Sequence, residues 1–187
     1  MLRIICGAIF LATAAMPALA ADDILDAIDQ ARKAYQAGDM AGAKQSLDLA
    51  SQLVGQKNAE SFAALLPAPL PGWKAEKAET TSVGVTVFGV TSASRRYTGP
   101  DGRDVEVRIT GDSTLVVQFA QFLINPAIAG AMGKLISVGD QRALQTNEGS
   151  INMVISSKFL VTVEGSADAA SKLAYAQAVD VAKLLKM

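Results

Sequence analysis

The sequence contains no histidine, and it has one cysteine among 187 residues. That cysteine, Cys6, lies in an apolar N-terminal segment. The two shortages exclude a disulfide within the chain, a zinc site of cysteine and histidine, and histidine-ligated copper or haem. They also exclude any catalytic triad that needs an imidazole base. We therefore expect no cofactor, no bound metal and no enzyme activity.

A surplus of basic residues is also missing. The chain has 17 basic and 18 acidic residues, which gives a formal net charge of −1. Binding to nucleic acid or to anionic lipid is driven by clustered positive charge, which this balance does not supply. Nucleic acid is therefore not an expected partner.

Residues 1–20, MLRIICGAIFLATAAMPALA, have the order of a secretory signal peptide. Arg3 precedes an apolar run that ends near Met16, and a small-residue site ends at Ala20. An uncleaved membrane anchor is the alternative, but the run is slightly shorter than the ~20 apolar residues of a membrane span. Because Pro17 and the Ala-Leu-Ala site have no purpose in an anchor, we expect cleavage, a periplasmic location and no membrane span in the mature chain.

Residues 22–57 are predicted to form a helical hairpin with its turn at Gly38-Asp39. Apolar residues recur at helical spacing on both sides of this turn, at Ile24, Ile28, Ala31 and Tyr35 and at Ala43, Leu47, Ala50 and Val54. Two matched apolar stripes separated by a glycine turn are typical of two antiparallel helices. We expect the two stripes to pack against each other.

Part of this hairpin, residues 31–50, resembles a single tetratricopeptide-type repeat. Small residues at Ala34 and Ala43 and the aromatic Tyr35 carry the resemblance, together with Ala-Gly-Asp at the turn. Arrays of this family need about three repeats to build a stable core, and the sequence has no second copy. Packing on the chain's own domain is therefore favoured over peptide binding.

A proline-rich linker is predicted over residues 58–72. Pro67, Pro69 and Pro71 are incompatible with a regular helix or a central strand. Trp73 follows directly, and we expect its ring to anchor the linker on the core, with ligand stacking as the alternative.

Residues 73–187 are predicted to form an α+β sandwich domain. Apolar residues alternate with polar ones in several segments, at Val83, Val85 and Val87, at Val105, Val107 and Ile109, at Ile151, Met153 and Ile155, and at Phe159, Val161 and Val163. Turn residues at 99–102 predict a β-hairpin over residues 93–111, and those at 147–149 predict a second turn. We expect an antiparallel sheet of about six or seven strands, with helices covering one face and a final helix from about Asp168 to Lys186.

The least polar stretch, residues 118–136, is predicted to contain two short helices. Asn125-Pro126 ends one helix and begins the next, and Gly133 ends the second. Two glutamines, this break and Lys134 interrupt every window long enough to span a membrane.

Four short motifs occur from Leu66 onward: Leu66-Pro67-x-Pro69-x-Pro71-Gly72-Trp73, Ala93-Ser94-Arg95-x-Tyr97, Asn125-Pro126-x-x-Ala129, and Phe159-Leu160-Val161-x-Val163-x-Gly165. Together they resemble a family of uncharacterised bacterial envelope proteins similar in shape to the Mog1/PsbP-like α/β/α sandwich. The resemblance implies a binding or assembly accessory and not a catalyst. The motifs themselves are structural and identify no reactive group.

Carboxylates are the remaining candidates for acid–base chemistry, as the pairs Asp101 with Asp104 and Glu148 with Glu164. Each residue is explained more simply as part of a solvated turn or strand. Arg95 and Arg96 are neighbours on a predicted strand, so they should point to opposite faces, one of them pairing with Glu106 or a neighbour.

The function expected from these observations is a non-catalytic binding or assembly accessory that contacts another envelope protein through the helical hairpin and the outer face of residues 115–132. One alternative is a carrier of a hydrophobic small molecule, and a second is a hydrolase that uses a carboxylate pair. The candidate surface for a partner or ligand consists of Tyr35, Trp73, Phe119, Phe122, Leu123, Ile128 and Met132, the last five of which would line the carrier's pocket.

Overall fold

The computed structural model describes residues 22–82, 90–111, 114–124 and 126–187, without the side chains of 82, 115, 122–124 and 126–128. The predicted signal peptide at 1–20 and the alternating segment at Val83, Val85 and Val87 lie outside the described residues. Among the described helices, none combines the length and the apolar character needed to cross a membrane.

The predicted helical hairpin is present. Helix α1 spans Asp23–Gln36 and helix α2 spans Met40–Leu65. Asp39 begins α2 by accepting a hydrogen bond from the Gly42 amide at 2.9 Å. Helix α2 continues past residue 57, because residues 58–65 contain no helix breaker. It ends where Pro67 forces the residue before it into an extended conformation. The non-helical segment is therefore only residues 66–72.

The two helices pack through the alanines of the predicted stripes, together with Ala27, and not through the larger residues of those stripes. Ala27 and Ala31 of α1 are buried, as are Ala43 and Ala50 of α2. Of the five larger residues of the predicted stripes, Ile24 is half-buried and four are exposed, namely Ile28, Tyr35, Leu47 and Val54. Small side chains let two helix backbones approach closely, so the alanines occupy the contact and the bulky residues lie to its side.

The sheet contains eight strands in the described residues, and every pairing is antiparallel. The strands are β1 Lys74–Ala75, β2 Glu79–Ser82, β3 Thr91–Thr98, β4 Asp104–Gly111, β5 Gly133–Val138, β6 Gln141–Thr146, β7 Ile151–Ile155 and β8 Phe159–Glu164. Their order is β1-β3-β4-β8-β7-β6-β5, and β2 pairs with β3 beside β1. The predicted α+β class, the hairpin over 93–111 and the turn at 147–149 are confirmed.

The helices between β4 and β5 also follow the prediction. Helix α3 spans Thr114–Ile124, helix α4 spans Pro126–Met132, and β5 begins at Gly133.

The final helix is shorter than predicted. Helix α5 spans Ala169–Gln177 and helix α6 spans Val181–Leu184, where a single helix was expected over 168–186. The break occurs because the Asp180 side chain accepts a hydrogen bond from the Lys183 amide at 3.0 Å and so begins a new helix.

Helices cover both faces of the sheet, so the prediction of one covered face was wrong. On one face, Ala143 and Met153 join a core with α5, α6 and the C-terminal turns of α2. Their strand neighbours Leu144 and Val154 point to the opposite face, where Leu144 and Ala129 of α4 are buried together. In strands β6 and β7, residues that point to either face of the sheet are apolar. Strands of this kind have to be covered on both faces.

Candidate functional site

The linker after α2 is fixed to the sheet by two buried tyrosines. The Tyr97 hydroxyl donates to the Pro67 carbonyl at 2.6 Å, and an Arg95 guanidinium nitrogen donates to the same oxygen at 3.4 Å. The Leu70 amide donates to the Tyr175 hydroxyl at 3.2 Å. The two rings lie 4.4 Å apart. The end of α2 is therefore held in one position relative to the sheet.

Trp73 also packs where the linker meets the sheet. Its ring meets the Tyr175 ring edge-on at 5.2 Å. It also packs over Gly99, where an added Cβ would lie 3.2 Å from the indole. The ring is half-buried between the linker and the sheet, an arrangement that leaves little of it free for a ligand.

Both tyrosine hydroxyls are held in the neutral form. Burial raises the pKa of Tyr97 to about 12, while the nearby Arg95 guanidinium acts in the opposite direction. Burial also raises the pKa of Tyr175, and the hydrogen bond from the Leu70 amide opposes it. At neutral pH these groups are hydrogen-bonding partners of the backbone and cannot act as bases.

The arginine pair splits across the sheet as expected. Arg96 lies on the face opposite Arg95, 3.3 Å from Glu106 and 3.9 Å from Asp104. Arg108 reaches the other oxygen of Glu106 at 2.5 Å. The carboxylate of Glu106 is thus held between two guanidinium groups.

The candidate carboxylate pairs are engaged in structural contacts. Asp101 bonds Arg103 at 2.6 Å, and this hydrogen bond lowers the pKa of Asp101. Asp104 accepts a hydrogen bond from the Ser166 hydroxyl, which lowers the pKa of Asp104. A general acid needs a raised pKa, so both groups are poorly suited to donate protons. Glu148 and Glu164 are exposed, in the β6–β7 turn and at the end of β8. Among the described residues, no cluster of three acidic side chains is placed to hold a metal ion.

The residues predicted near α3 and α4 are only partly in view. Phe119 is half-buried and packs with Val154 against Ala129 and Leu144. Met132 is 36% exposed at the end of α4. The side chains of Phe122, Leu123 and Ile128 lie outside the described set, so the predicted grouping of these residues stays a prediction.

An open groove of about 460 Å³ lies elsewhere, between the β5–β6 turn and the last two helices. Its apolar lining consists of Val138, Ala176, Val179, Val181, Ala182 and Leu185. Sequence reasoning missed this groove because it forms where α5 breaks into α6, and the break itself was not predicted.

Five of the seven large apolar residues exposed on the hairpin lie in two rows, one on each helix, and Leu25 and Leu49 lie outside these rows. Ile28 and Tyr35 are seven residues apart on α1, and Met40, Leu47 and Val54 are seven residues apart on α2. A spacing of seven keeps side chains on nearly the same side of a helix. We call these five residues the hairpin strip.

Both rows of the hairpin strip lie on the same side of the hairpin. Viewed down the α1 axis from its N-terminus, the exposed row is rotated, in the direction in which the helix winds, from the buried row that contains Ala27 and Ala31. In α2 the exposed row is displaced in the same rotational sense from Ala43 and Ala50. Because the two helices are antiparallel, equal rotation moves both rows to the same side of the pair.

Neither protein-family models, nor curated proteins, nor solved structures give a match for this chain. The surfaces of the chain itself are therefore the basis for a function.

Proposed function

We propose that this chain is a non-catalytic binding or assembly accessory, exported to the periplasm, that contacts another envelope protein through the hairpin strip. The observation that carries the proposal is the exposure of five large apolar side chains on one side of a two-helix hairpin, with Tyr35 64% exposed and Met40 62% exposed. The grouping of exposed apolar side chains on one side of a small protein favours an interaction site there.

The packing of the hairpin supports the same conclusion. The alanines fill the close contact between α1 and α2, which leaves no room there for larger side chains. The larger residues lie beside this contact, where Ile28 is 45% exposed and Leu47 56% exposed. This distribution favours a partner that covers them.

The shape of the strip indicates the form of the partner. The two apolar rows lie on either side of the seam between two antiparallel helices. An amphipathic helix places apolar residues at i, i+3, i+4 and i+7, a spacing that can contact both rows along this seam. We propose a helical segment of the partner as the contacting element.

Catalysis is not favoured by the groups present. The chain has no histidine, and the acidic residues Asp101, Asp104 and Glu106 are each bonded to a neighbouring side chain. A binding function requires no reactive group, so it is compatible with this set of side chains.

Two exposed leucines on α2 provide a matched test. Leu47 belongs to the hairpin strip, whereas Leu49 lies two residues on and faces away from it; their exposures are 56% and 45%. Immobilised wild-type chain, Leu47→Lys and Leu49→Lys are each used to capture proteins from an envelope extract. We expect one or more captured proteins to be lost by at least tenfold with Leu47→Lys and kept with Leu49→Lys. Equal capture by the two variants, or none by the wild type, would contradict the proposal.

A carrier of a small apolar molecule is the second candidate, favoured by the groove at Val138 and Val179. Its volume of about 460 Å³ lies within the range of ligand pockets, ~300–1,000 Å³. Native mass spectrometry of protein purified without detergent tests it. A retained mass that Val179→Lys removes would support the carrier, and the bare chain mass alone would exclude it.

A further inference from the structure

The two edges of the sheet differ in how they are protected. One edge is formed by the two-residue β1 and the four-residue β2, which divide β3 between them. Short edge strands and nearby charges such as Glu76 and Lys77 prevent pairing with another chain. Natural proteins use such devices because an unpaired strand edge readily pairs with another chain.

The opposite edge has little of this protection. Strand β5 has six residues, Gly133–Val138, and its outer side pairs with no strand in the part of the chain that the structure describes. Lys134 is its only charged residue, and Leu135 is 40% exposed on it. Met132 directly precedes the strand and is also partly exposed. An edge of this length with exposed apolar residues is expected to be covered in the assembled protein.

We propose that the outer edge of β5 pairs with β5 of a second copy, so that two sheets join into one across a two-fold axis at Leu135. This inference goes beyond the proposed partner contact, because the hairpin contacts β2 and β3 at the other end of the sheet.

In this arrangement, the side chains that lie opposite each other across the two copies of β5 fit together. In a two-fold antiparallel pairing, residues directly opposite each other lie on the same face, so the residue on the axis faces its own copy. An axis at Leu135 places two exposed leucines against each other and Lys134 opposite Ile136. An axis at Lys134 would place two ammonium groups opposite each other, which is destabilising.

A second copy also explains why the β5 edge lacks the protection found at the other edge of the described sheet. An isologous contact uses the same surface on both copies and therefore closes after two. The short strands β1 and β2 at the far edge then prevent further growth of the sheet. An unrelated extended peptide would satisfy the same backbone groups, but it has no need of the self-matched side chains.

Cysteine cross-linking tests the register. In a Cys6→Ser background, Leu135→Cys supplies the single thiol. Directly opposite Cα atoms are about 4.5–5.5 Å apart, within disulfide reach. The matched control, Ser137→Cys, places the two thiols four residues apart along the strands, or about 13 Å, which is too far. We expect at least tenfold more disulfide-linked dimer from Leu135→Cys than from Ser137→Cys under mild oxidation.

Sedimentation of the unmodified chain gives a second measurement. We expect a concentration-dependent dimer, and a dissociation constant raised at least tenfold by Leu135→Lys but unchanged by Leu49→Lys. Circular dichroism confirms that each variant is folded. A wild type that stays monomeric at every concentration, or equal cross-linking of the two cysteine variants, would overturn the proposal. So would a monomer that binds an extended peptide at β5.

Discussion

Replacing Tyr97 by phenylalanine removes one hydroxyl from a side chain that is fully buried. The hydroxyl donates to the Pro67 carbonyl at 2.6 Å and so holds the linker that follows α2. The ring remains, and its contact with the Tyr175 ring at 4.4 Å should be preserved. The substitution therefore isolates one hydrogen bond without creating a cavity.

The expected loss of stability at neutral pH depends on whether the Pro67 carbonyl keeps a hydrogen-bond donor. A hydrogen bond contributes about 0.5–1.5 kcal/mol net, and a buried acceptor left without a donor costs about 1–3 kcal/mol. Because the Arg95 guanidinium still reaches the Pro67 carbonyl at 3.4 Å, the acceptor keeps one weak donor. We expect the free energy of unfolding to fall by about 1–2 kcal/mol.

The difference in stability between the wild type and Tyr97→Phe should change sign at high pH. The pKa of Tyr97 is raised from 10.0 to about 12 by burial, so the folded chain retains this proton more strongly than the unfolded chain. Its stabilising effect is complete below pH 10 and is lost as the pH rises through about 12. A two-unit difference corresponds to about 2–3 kcal/mol, which exceeds the cost of the missing hydrogen bond. Tyr97→Phe should thus become the more stable protein near the upper end of this range.

Urea unfolding of wild type and Tyr97→Phe between pH 7 and pH 12 measures both effects. Tyr35→Phe is the control, because the Tyr35 side chain is exposed and its hydroxyl has no hydrogen-bond partner among the described residues. A deficit that stays constant over this pH range, or no deficit near neutral pH, would refute the assignment of Tyr97 as a neutral, buried donor.

Two further substitutions test the packing of α2 and α5. Gly111→Ala places a Cβ 2.6 Å from the Phe62 ring, so we expect a loss of about 1–3 kcal/mol in urea unfolding, whereas Gly130→Ala in α4 meets nothing within 4 Å and should stabilise slightly. No effect at Gly111 would show that Phe62 does not lie against β4. Lys172 is 5% exposed and its ammonium group has no ion pair or hydrogen bond to a described residue, so Lys172→Met should raise the melting temperature while Lys172→Ala lowers it. A lower melting temperature for Lys172→Met would indicate that the ammonium group has a stabilising partner.

The strands and turns were predictable because their signals are local. Val105, Val107 and Ile109 alternate with polar residues, and Gly102 adopts the positive φ that its turn requires. The sequence also contains a signal that both faces of the sheet are covered. The neighbours Ala143 and Leu144 are both apolar, and this pattern differs from the simple alternation that was used to predict one covered face.

The side-chain contacts that define the surfaces were not predictable from the pattern. Helical spacing selects Leu47 and Val54 together with Ala43 and Ala50, but it does not tell which pair lies between the helices. Tyr175 reaches Leu70 across 105 residues of sequence, and no local pattern encodes a contact over that separation.

Helix α2 carries three of the five residues of the hairpin strip, the last of them Val54, and from Ala59 onward one side of the helix is buried against the sheet. One continuous helix therefore fixes the angle between the strip and the sheet through the number of residues between those two positions. Inserting one residue there would turn the strip by about 100° and advance it by about 1.5 Å, while leaving every side chain of both surfaces in place. The length of α2 thus sets the direction from which a partner approaches. This length can change without any change in the residues that a partner would contact.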